Sequence, residues 1–209
     1  MPAQLTGFPR GLVIEIRRLL SNLASSSEVR VARFYRESIP APPLLGVVVF
    51  SNPGATGILE LSGDTQEIDG LTVLPTVYLT ALKEGSEEMG RYGQLIGKDK
   101  TLLASQYGAL LQVNSLEECF LRLPEILWPV LLYEENNNGQ GLDALLGAEI
   151  RDGLVAGRSV GPSGQDDGNL VIRLRNLTRV VCGSRYCANL ARLWGRPIPG
   201  TLDPRLVFP

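Results

Sequence analysis

Residues 44–50 have the sequence Leu-Leu-Gly-Val-Val-Val-Phe, and Ser51-Asn52-Pro53-Gly54 follows directly. This apolar run has the length of a buried strand, and the Asn-Pro-Gly sequence is a strong turn signal. Two further apolar segments, 58–61 and 71–82, follow, with a turn signal at Ser62-Gly63-Asp64 between them. Because tight turns join consecutive strands in antiparallel pairs, this region predicts an antiparallel sheet.

Strand-like patterns recur on both sides of this region. In segment 71–82, alternate apolar residues predict a strand with one buried face. The other predicted strands are 29–35, 102–113 and 169–181, and segment 128–133 is expected to be either a strand or a short helical turn.

Helical patterns are fewer. In segment 11–24 the residues Leu12, Ile16, Leu19 and Leu23 recur at the spacing of one helix face. Asn114 or Ser115 is expected to cap a second helix, which Pro124 should end near Leu123. Shorter helical segments are predicted at 142–150 and 186–194.

The predicted fold is therefore α+β, with a mainly antiparallel twisted sheet and two or three helices packed on one face. Residues 1–194 are expected to form a single domain with long loops at 83–101, 134–141 and 157–168. Residues 195–209 contain several prolines and predict an extended C-terminal arm. No internal repeat is apparent in the sequence.

The chain of 209 residues contains no histidine. Histidine-based catalysis and histidine-ligated metal sites are therefore excluded. The formal net charge is −2, with basic and acidic residues interspersed, so sequence-specific nucleic-acid binding is not expected. No apolar window is long enough for a transmembrane helix, and the first residues lack the pattern of a signal peptide, so no membrane association is expected.

Motifs for cofactors and metals fail on spacing. Gly93 to Asp99 resembles a phosphate-binding loop, but the first glycine is one residue too close and Asp99 stands where a hydroxyl is needed. Cys182 and Cys187 have the spacing of a zinc knuckle, but only Cys119 and carboxylates remain as further ligands. The three thiols are expected to be buried or unpaired. No cofactor and no metal are predicted.

Catalytic arrangements are also poorly supported. Adjacent acids such as Asp166-Asp167 lie in glycine-rich segments, where carboxylates are usually solvated. Lys83, Lys98 and Lys100 all lie in the polar segment 83–101, which argues against a buried lysine with a lowered pKa. No catalytic residue is assigned.

Assembly with other proteins explains more of the sequence. An apolar arm is a liability for a monomer, but it can dock on a neighbour by strand addition or groove insertion. An arm that wraps its own domain remains the alternative. The candidate partner-binding residues are Trp194, Leu202, Leu206, Val207 and Phe208. The candidate ring-contact residues in the 83–101 loop are Glu84, Glu87, Glu88 and Arg91.

The order of elements resembles one phage protein family. An amphipathic helix precedes a meander of strands, a strand at Pro75-Thr-Val-Tyr-Leu-Thr80 and an acidic loop at 84–88. A returning strand ending at Val113, a helix opened by Ser115-Leu-Glu-Glu118 and a late strand follow. Over residues 10–181 this order is similar to that of tail-terminator and neck (tail-completion) proteins of tailed bacteriophages. The insertion around 38–70 and the residues after 182 have no counterpart in that family.

The resemblance implies a non-catalytic virion subunit that forms a homo-oligomeric ring, such as a hexamer, at the tail end or the head–tail neck. Its partners would be copies of itself and tail tube, sheath or connector proteins, and it would be assembled in the host cytoplasm. Two alternatives stay open: a baseplate or capsid-decorating protein, and a small enzyme or ligand-binding module that uses carboxylates or Lys98.

Overall fold

The computed structural model describes residues 10–97, 99–105, 107–122, 129–137 and 139–194. The expected C-terminal arm lies outside these residues, together with its apolar side chains Leu202, Leu206, Val207 and Phe208.

The described residues form helices and strands in alternating blocks. The helices are α1 (Arg10–Ser25), α2 (Glu87–Ile96), α3 (Lys100–Ser105), α4 (Leu116–Arg122) and α5 (Arg185–Trp194). The strands are β1 (Val31–Tyr35), β2 (Leu44–Ser51), β3 (Thr56–Leu61), β4 (Ile68–Leu74), β5 (Ala81–Glu84), β6 (Val130–Asn137), β7 (Gly139–Arg151), β8 (Leu154–Val160), β9 (Asp166–Arg173) and β10 (Arg179–Cys182). Short 3-10 helices lie at Thr76–Tyr78, Gly108–Gln112 and Leu174–Asn176.

All ten strands belong to one antiparallel sheet with the order β5-β1-β2-β3-β4-β10-β6-β7-β8-β9. The α+β class and the antiparallel sheet are thus confirmed, as are the predicted helix at 11–24 and the strand at 44–50. One row of paired residues crosses seven strands and consists of Val31, Val47, Leu59, Leu71, Cys182, Val130 and Leu145.

The helices pack on both faces of the sheet, and the prediction of a single covered face is wrong. Alternate residues of β1 to β3 point to opposite faces, and both sets are buried. Ile16, Leu20 and Leu23 of α1 pack with Phe34 and Val48 in one core cluster. A second cluster contains the row that begins with Val31, together with Met89 of α2 and Phe120 of α4.

One predicted strand is helical, and a second is interrupted by a 3-10 helix. Segment 102–113 contains α3 and the 3-10 helix Gly108–Gln112, because its buried residues Ala104, Tyr107 and Leu110 follow a three-residue spacing. The expected strand at 71–82 is broken by the 3-10 helix Thr76–Tyr78, which starts after Pro75 and separates β4 from β5.

Most of the described residues in the three predicted loops lie in helices and strands. Segment 83–101 contains α2, which Ser86 caps by accepting a hydrogen bond from the Met89 amide at 3.3 Å. Segments 134–141 and 157–168 are β-hairpins that join β6 to β7 and β8 to β9. Gly90 and Gly93 lie in α2, the glycines of the two hairpin segments lie in strands and turns, and the expected helix at 142–150 is part of β7.

The predictions for α4, α5, β9 and β10 agree with the structure at least in part. Ser115 caps α4 by accepting a hydrogen bond from the Glu118 amide at 3.0 Å, and the helix ends at Arg122. The helix predicted at 186–194 is α5. The predicted strand at 169–181 is divided into β9 and β10 by the 3-10 helix Leu174–Asn176.

The chain contains two copies of one structural unit, although no repeat was apparent in the sequence. Repeat 1 (residues 31–96) and repeat 2 (residues 129–194) each contain a four-stranded meander, a 3-10 helix, a fifth strand that pairs with the first, and a final helix. Late elements match at a constant spacing of 98 residues, as from Thr76–Tyr78 to Leu174–Asn176, from β5 to β10 and from α2 to α5.

Local hydrogen bonds are repeated at the same spacing. The Thr80 amide donates to the Tyr35 carbonyl at 3.0 Å, and the Thr178 amide donates to the Tyr133 carbonyl at 2.8 Å. Ser184 caps α5 as Ser86 caps α2, by accepting from the Cys187 amide at 3.1 Å. The repeats are therefore equivalent in detail as well as in topology.

Repeat 2 is turned over relative to repeat 1. Each repeat contributes five strands to an antiparallel sheet, and an odd number of strands reverses the direction of equivalent strands. The faces are exchanged as well, since Phe34 lies on the face opposite to Val31, whereas its counterpart Leu132 lies on the face of Val130, which belongs to the row that begins with Val31. The two repeats are thus related by a shift along the sheet and a half-turn about that direction.

Candidate functional site

The two repeats meet where β4 pairs with β10. The register places Val73, Thr72 and Leu71 opposite Val180, Val181 and Cys182. All six residues are buried. β4 is the last strand of its meander and β10 is a fifth strand, so the repeats join through two unlike edges.

Asp69 and Gly70 bring the start of α5 against this junction. The Asp69 carboxylate accepts a hydrogen bond from the Arg185 amide at 2.7 Å, at the N-terminus of α5, where helix geometry leaves amides without intrahelical acceptors. Gly70 has φ +99°, and a Cβ at this position would lie 2.7 Å from the Cys182 carbonyl oxygen and 2.9 Å from the Ser184 amide nitrogen. A glycine here therefore allows β10 and α5 to approach.

Ion pairs surround the junction. Arg185 bonds Glu67 at 2.9 Å and also contacts the Thr65 hydroxyl. Arg179 of β10 bonds Glu60 of β3 at 3.0 Å, and its guanidinium lies 3.7 Å from the centroid of the Tyr133 ring. The side chains of repeat 2 thus reach acids of repeat 1 at two points of the junction.

A buried ion pair also links the repeats. Arg36, which follows β1, donates to Glu135 of β6 at 2.5 and 3.2 Å, although four strands lie between β1 and β6 in the sheet. Both side chains are almost fully buried. Thr178 donates to Glu135 at 2.7 Å and Arg179 at 3.2 Å, so several donors surround the carboxylate. A buried charge requires this kind of compensation.

The same surroundings set the pKa of Glu135. Burial alone raises it, but the hydrogen bonds from Arg36 and Thr178 and the positive charge of Arg179 outweigh burial and lower the pKa below its ordinary value. The carboxylate is therefore charged at neutral pH. It stabilises the contact between the repeats and has no proton available for acid catalysis.

The outer edges of the sheet are β5 and β9, which are the counterparts of β10 and β4. Within the described residues, β5 pairs only with β1, and β9 pairs only with β8. Val171 of β9 is 62% exposed, whereas its counterpart Val73 in β4 is fully buried. The two strand edges that pair with each other at the internal junction therefore have a second copy at the two ends of the sheet, where they are not paired with each other.

The predicted ring-contact residues lie along the β5 edge. Glu84 is in β5 and pairs with Arg30 at 2.6 Å, while Glu88 of α2 pairs with Arg33 at 3.6 Å. Glu87 and Arg91 pair with each other along α2 at 2.5 Å. The structure brings these residues together on a strand and a helix, and not in the loop that the sequence predicted.

Of the other predicted binding residues, only Trp194 lies within the described part of the chain. Trp194 is the last residue of α5, where it is partly buried against the main core cluster. Sequence reasoning missed Asp167, Gly168 and Val171. The signal that could have found them is the Asp-Gly pair, since of the three such pairs at 69–70, 152–153 and 167–168 the first and last lie 98 residues apart.

Lys100 contradicts the expectation that no lysine is buried. Its Nζ donates to the carbonyls of Leu23 and Ala24 at 2.8 and 2.6 Å, and burial lowers its pKa. A cation at the carboxyl end of α1 satisfies carbonyls that have no intrahelical donor. The contacts explain Lys100 as a helix cap.

The three cysteines are free and buried, as expected. Burial raises the pKa of Cys119 to about 12, so its thiol is protonated at neutral pH. Among the described residues, no cluster of three or more cysteine and acidic side chains has metal-binding geometry.

A cavity of about 260 Å³ lies beside the junction and is lined by residues that include Glu60, Ser62, Tyr133 and Arg179. Its volume is below the usual range for small-molecule pockets, about 300–1,000 Å³. The charges at its wall are paired with each other, since Arg179 bonds both Glu60 and Glu135. The cavity is therefore explained by packing around the ion pairs of the junction.

No family model, curated protein or solved structure matches the chain. None of the helices in the described ranges is long and apolar enough to cross a membrane.

Proposed function

We propose that the chain is a non-catalytic structural subunit that assembles with copies of itself into a ring at the tail end or head–tail neck of a phage particle. The observation that carries the proposal is the β4–β10 junction. There, two units of the same topology associate side by side through unlike edges.

Unlike edges give a head-to-tail contact. Such a contact leaves one edge of each kind unused at the ends of the assembly, and continued addition gives a closed ring when the rotation per step closes and a filament when it does not. The unused edges here are β5 and β9. The fold unit is therefore suited to repeated addition, which is what a ring subunit requires.

The placement in a phage particle rests on the order of elements. Helix α1, the meander β1–β4, helix α4 with its Ser115 cap and the late strand β10 follow the order of the tail-terminator and neck resemblance. The segments at 75–80 and 102–113 differ from it, since both contain 3-10 helices. The order of α1, β1 to β4, α4 and β10 supports the proposed place in a phage particle.

The mass of the purified protein in solution tests self-assembly. We expect light scattering after size-exclusion chromatography to give a mass several times the 22.7 kDa of the chain, and negative-stain images to show rings. A species of 22.7 kDa at every concentration would contradict the proposal. Mixing with purified phage tail tubes tests the placement, because a tube-end subunit should appear at tube ends and nowhere along their length.

A further inference from the structure

We infer that β9 of one molecule pairs with β5 of the next, in the register that β4 and β10 use inside the chain. This inference rests on the proposed self-assembly and specifies its interface. Shifting the internal register by 98 residues places Val171 opposite Leu82, Leu170 opposite Lys83, and Asn169 opposite Glu84. The occupant of each edge is thus a second copy of the chain.

The orientation of the repeats permits this addition. Repeat 2 is turned over relative to repeat 1, so the next repeat in the row must be turned over again. A second half-turn restores the original strand direction and the original faces. Strand β5 of the next molecule therefore runs antiparallel to β9, with Leu82 and Val171 on the same face of the sheet.

Asp167 and Gly168 occupy the positions in β9 that Asp69 and Gly70 occupy in β4. Asp69 caps the Arg185 amide of α5, and the counterpart of Arg185 is Glu87, the first residue of α2. Gly168 has φ +90°, close to the +99° of Gly70, but a Cβ on Gly168 would meet no atom of the described residues within 4 Å. The space that β10 and α5 fill beside Gly70 is thus open beside Gly168. In the inferred pairing, Glu84 and Ser86 of the next molecule fill it.

Most charges beside the two edge strands are paired within the molecule, but the counterparts of Arg36 and Glu135 are two acids, Glu134 and Glu37, so the inferred contact lacks that ion pair. Glu84, Glu87 and Glu88 are paired with arginines of their own edge, and Asp166 pairs with Arg158 at 2.6 Å. Asp167 accepts only a long hydrogen bond of 3.4 Å from the Gln165 side chain among the described residues. Its carboxylate is placed to accept the first amide of α2 from the neighbouring molecule.

Disulfide trapping tests the register. Two single variants, V171C and L82C, are purified separately, mixed under mild oxidation and separated on a non-reducing gel. We expect a covalent dimer of V171C with L82C, because directly opposite residues have Cα atoms close enough for a disulfide. The control pair is V171C with E84C, which lies two residues out of register. We expect it to give at least about tenfold less dimer.

The outcomes separate this inference from the proposed function. A large assembly in which neither pair cross-links, or in which the out-of-register pair cross-links as well as the other, overturns the inference and leaves self-assembly standing. A protein that stays at 22.7 kDa overturns both. Protection of the V171C thiol by residues 195–209, with free reaction after their removal, would show that the chain covers its own edge and would also overturn the inference.

A second variant blocks the contact without removing a side chain. In Gly168→Ala the new Cβ should collide with the neighbour's Glu84 carbonyl, as a Cβ on Gly70 would collide with Cys182. Gly153→Ala is the matched control, because Gly153 has φ +73° and also has open space around it. We expect at least about tenfold weaker association for Gly168→Ala than for Gly153→Ala, measured by sedimentation. Equal association of both variants would overturn the inference.

Discussion

Strands β5 and β10 occupy the same position in the two repeats but have different surroundings. β10 has a strand on each side, whereas β5 pairs only with β1 among the described residues. Their sequences follow this difference, since Val181 and Cys182 of β10 correspond to Lys83 and Glu84 of β5. Charged residues keep an open strand edge soluble. The comparison indicates that the inferred contact between molecules would be weaker than the contact inside the chain.

The largest expected effect on stability concerns the buried Arg36–Glu135 ion pair, which belongs to the internal contact and has no counterpart at the outer edges. Arg36→Met should lower the free energy of unfolding by about 4 kcal/mol, because it leaves the Glu135 carboxylate buried with fewer donors. Chemical denaturation measures this change. Arg91→Met is the control, since the Arg91–Glu87 pair is exposed and should contribute less than about 0.5 kcal/mol. Equal losses in the two variants would show that the Arg36–Glu135 pair does not hold the repeats together.

Matched glycine substitutions compare the two Asp-Gly sites directly. Gly70→Ala should destabilise the fold by about 3 kcal/mol, since backbone strain at positive φ adds to a collision with the Cys182 carbonyl. Gly168→Ala should cost only about 1 kcal/mol in dilute protein, because strain is its sole effect there. Thermal unfolding of both variants tests the difference. A cost for Gly168→Ala as large as that for Gly70→Ala would mean that the edge is already covered within the molecule.

A smaller effect is expected at the acids beside these glycines. Asp69→Ala should destabilise the protein by about 1 kcal/mol, because the first amide of α5 loses its charged acceptor. Asp167→Ala should leave the stability of dilute protein within about 0.5 kcal/mol of the unchanged chain. Urea titrations of the two variants side by side make the comparison. Similar losses would contradict the assignment of Asp167 to an intermolecular role.

The sequence predicted the first part of the sheet better than the second. Helix α1 and strands β1 to β3 follow clear periodicities with turn signals between them, because these strands have a full apolar core on each face. In repeat 2 the glycines and polar residues at the ends of β7, β8 and β9 suggested loops, and most of β7 was expected to be a helix. These strands lie toward an open edge, where exposed positions alternate with buried ones and weaken the apolar pattern.

The repeat and the junction could not be predicted from these patterns. Few aligned positions carry the same residue, and those that do are scattered pairs such as Asp-Gly, Leu-Thr and Gly-Ser. Burial patterns also differ between the copies, because equivalent residues face opposite sides of the sheet. Only the arrangement of the strands shows that Asp69–Gly70 and Asp167–Gly168 occupy equivalent positions. The first pair lies at the internal junction, and the second lies on the edge strand β9.

The smallest expected effect is a pH dependence of the internal contact. The pKa of Glu135 is lowered in the folded protein, so its charged form stabilises the fold above the unfolded pKa of about 4.3. This stabilisation is lost as the pH falls from about 4.3 through the lower folded pKa. Glu135→Gln removes this titration. The free energy of unfolding of the unchanged chain should therefore fall more steeply in acid than that of the variant, and the two curves should approach each other.

Chemical denaturation between neutral pH and about pH 3 measures both curves, a range chosen to include the unfolded pKa. Glu149→Gln, at an exposed position of β7, controls for the loss of one negative charge. If the Glu135→Gln curve runs parallel to that of the unchanged chain, ionised Glu135 does not stabilise the contact between the repeats. In that case the β4–β10 pairing holds the repeats together without it, and the edges β5 and β9 lack nothing that the internal junction needs.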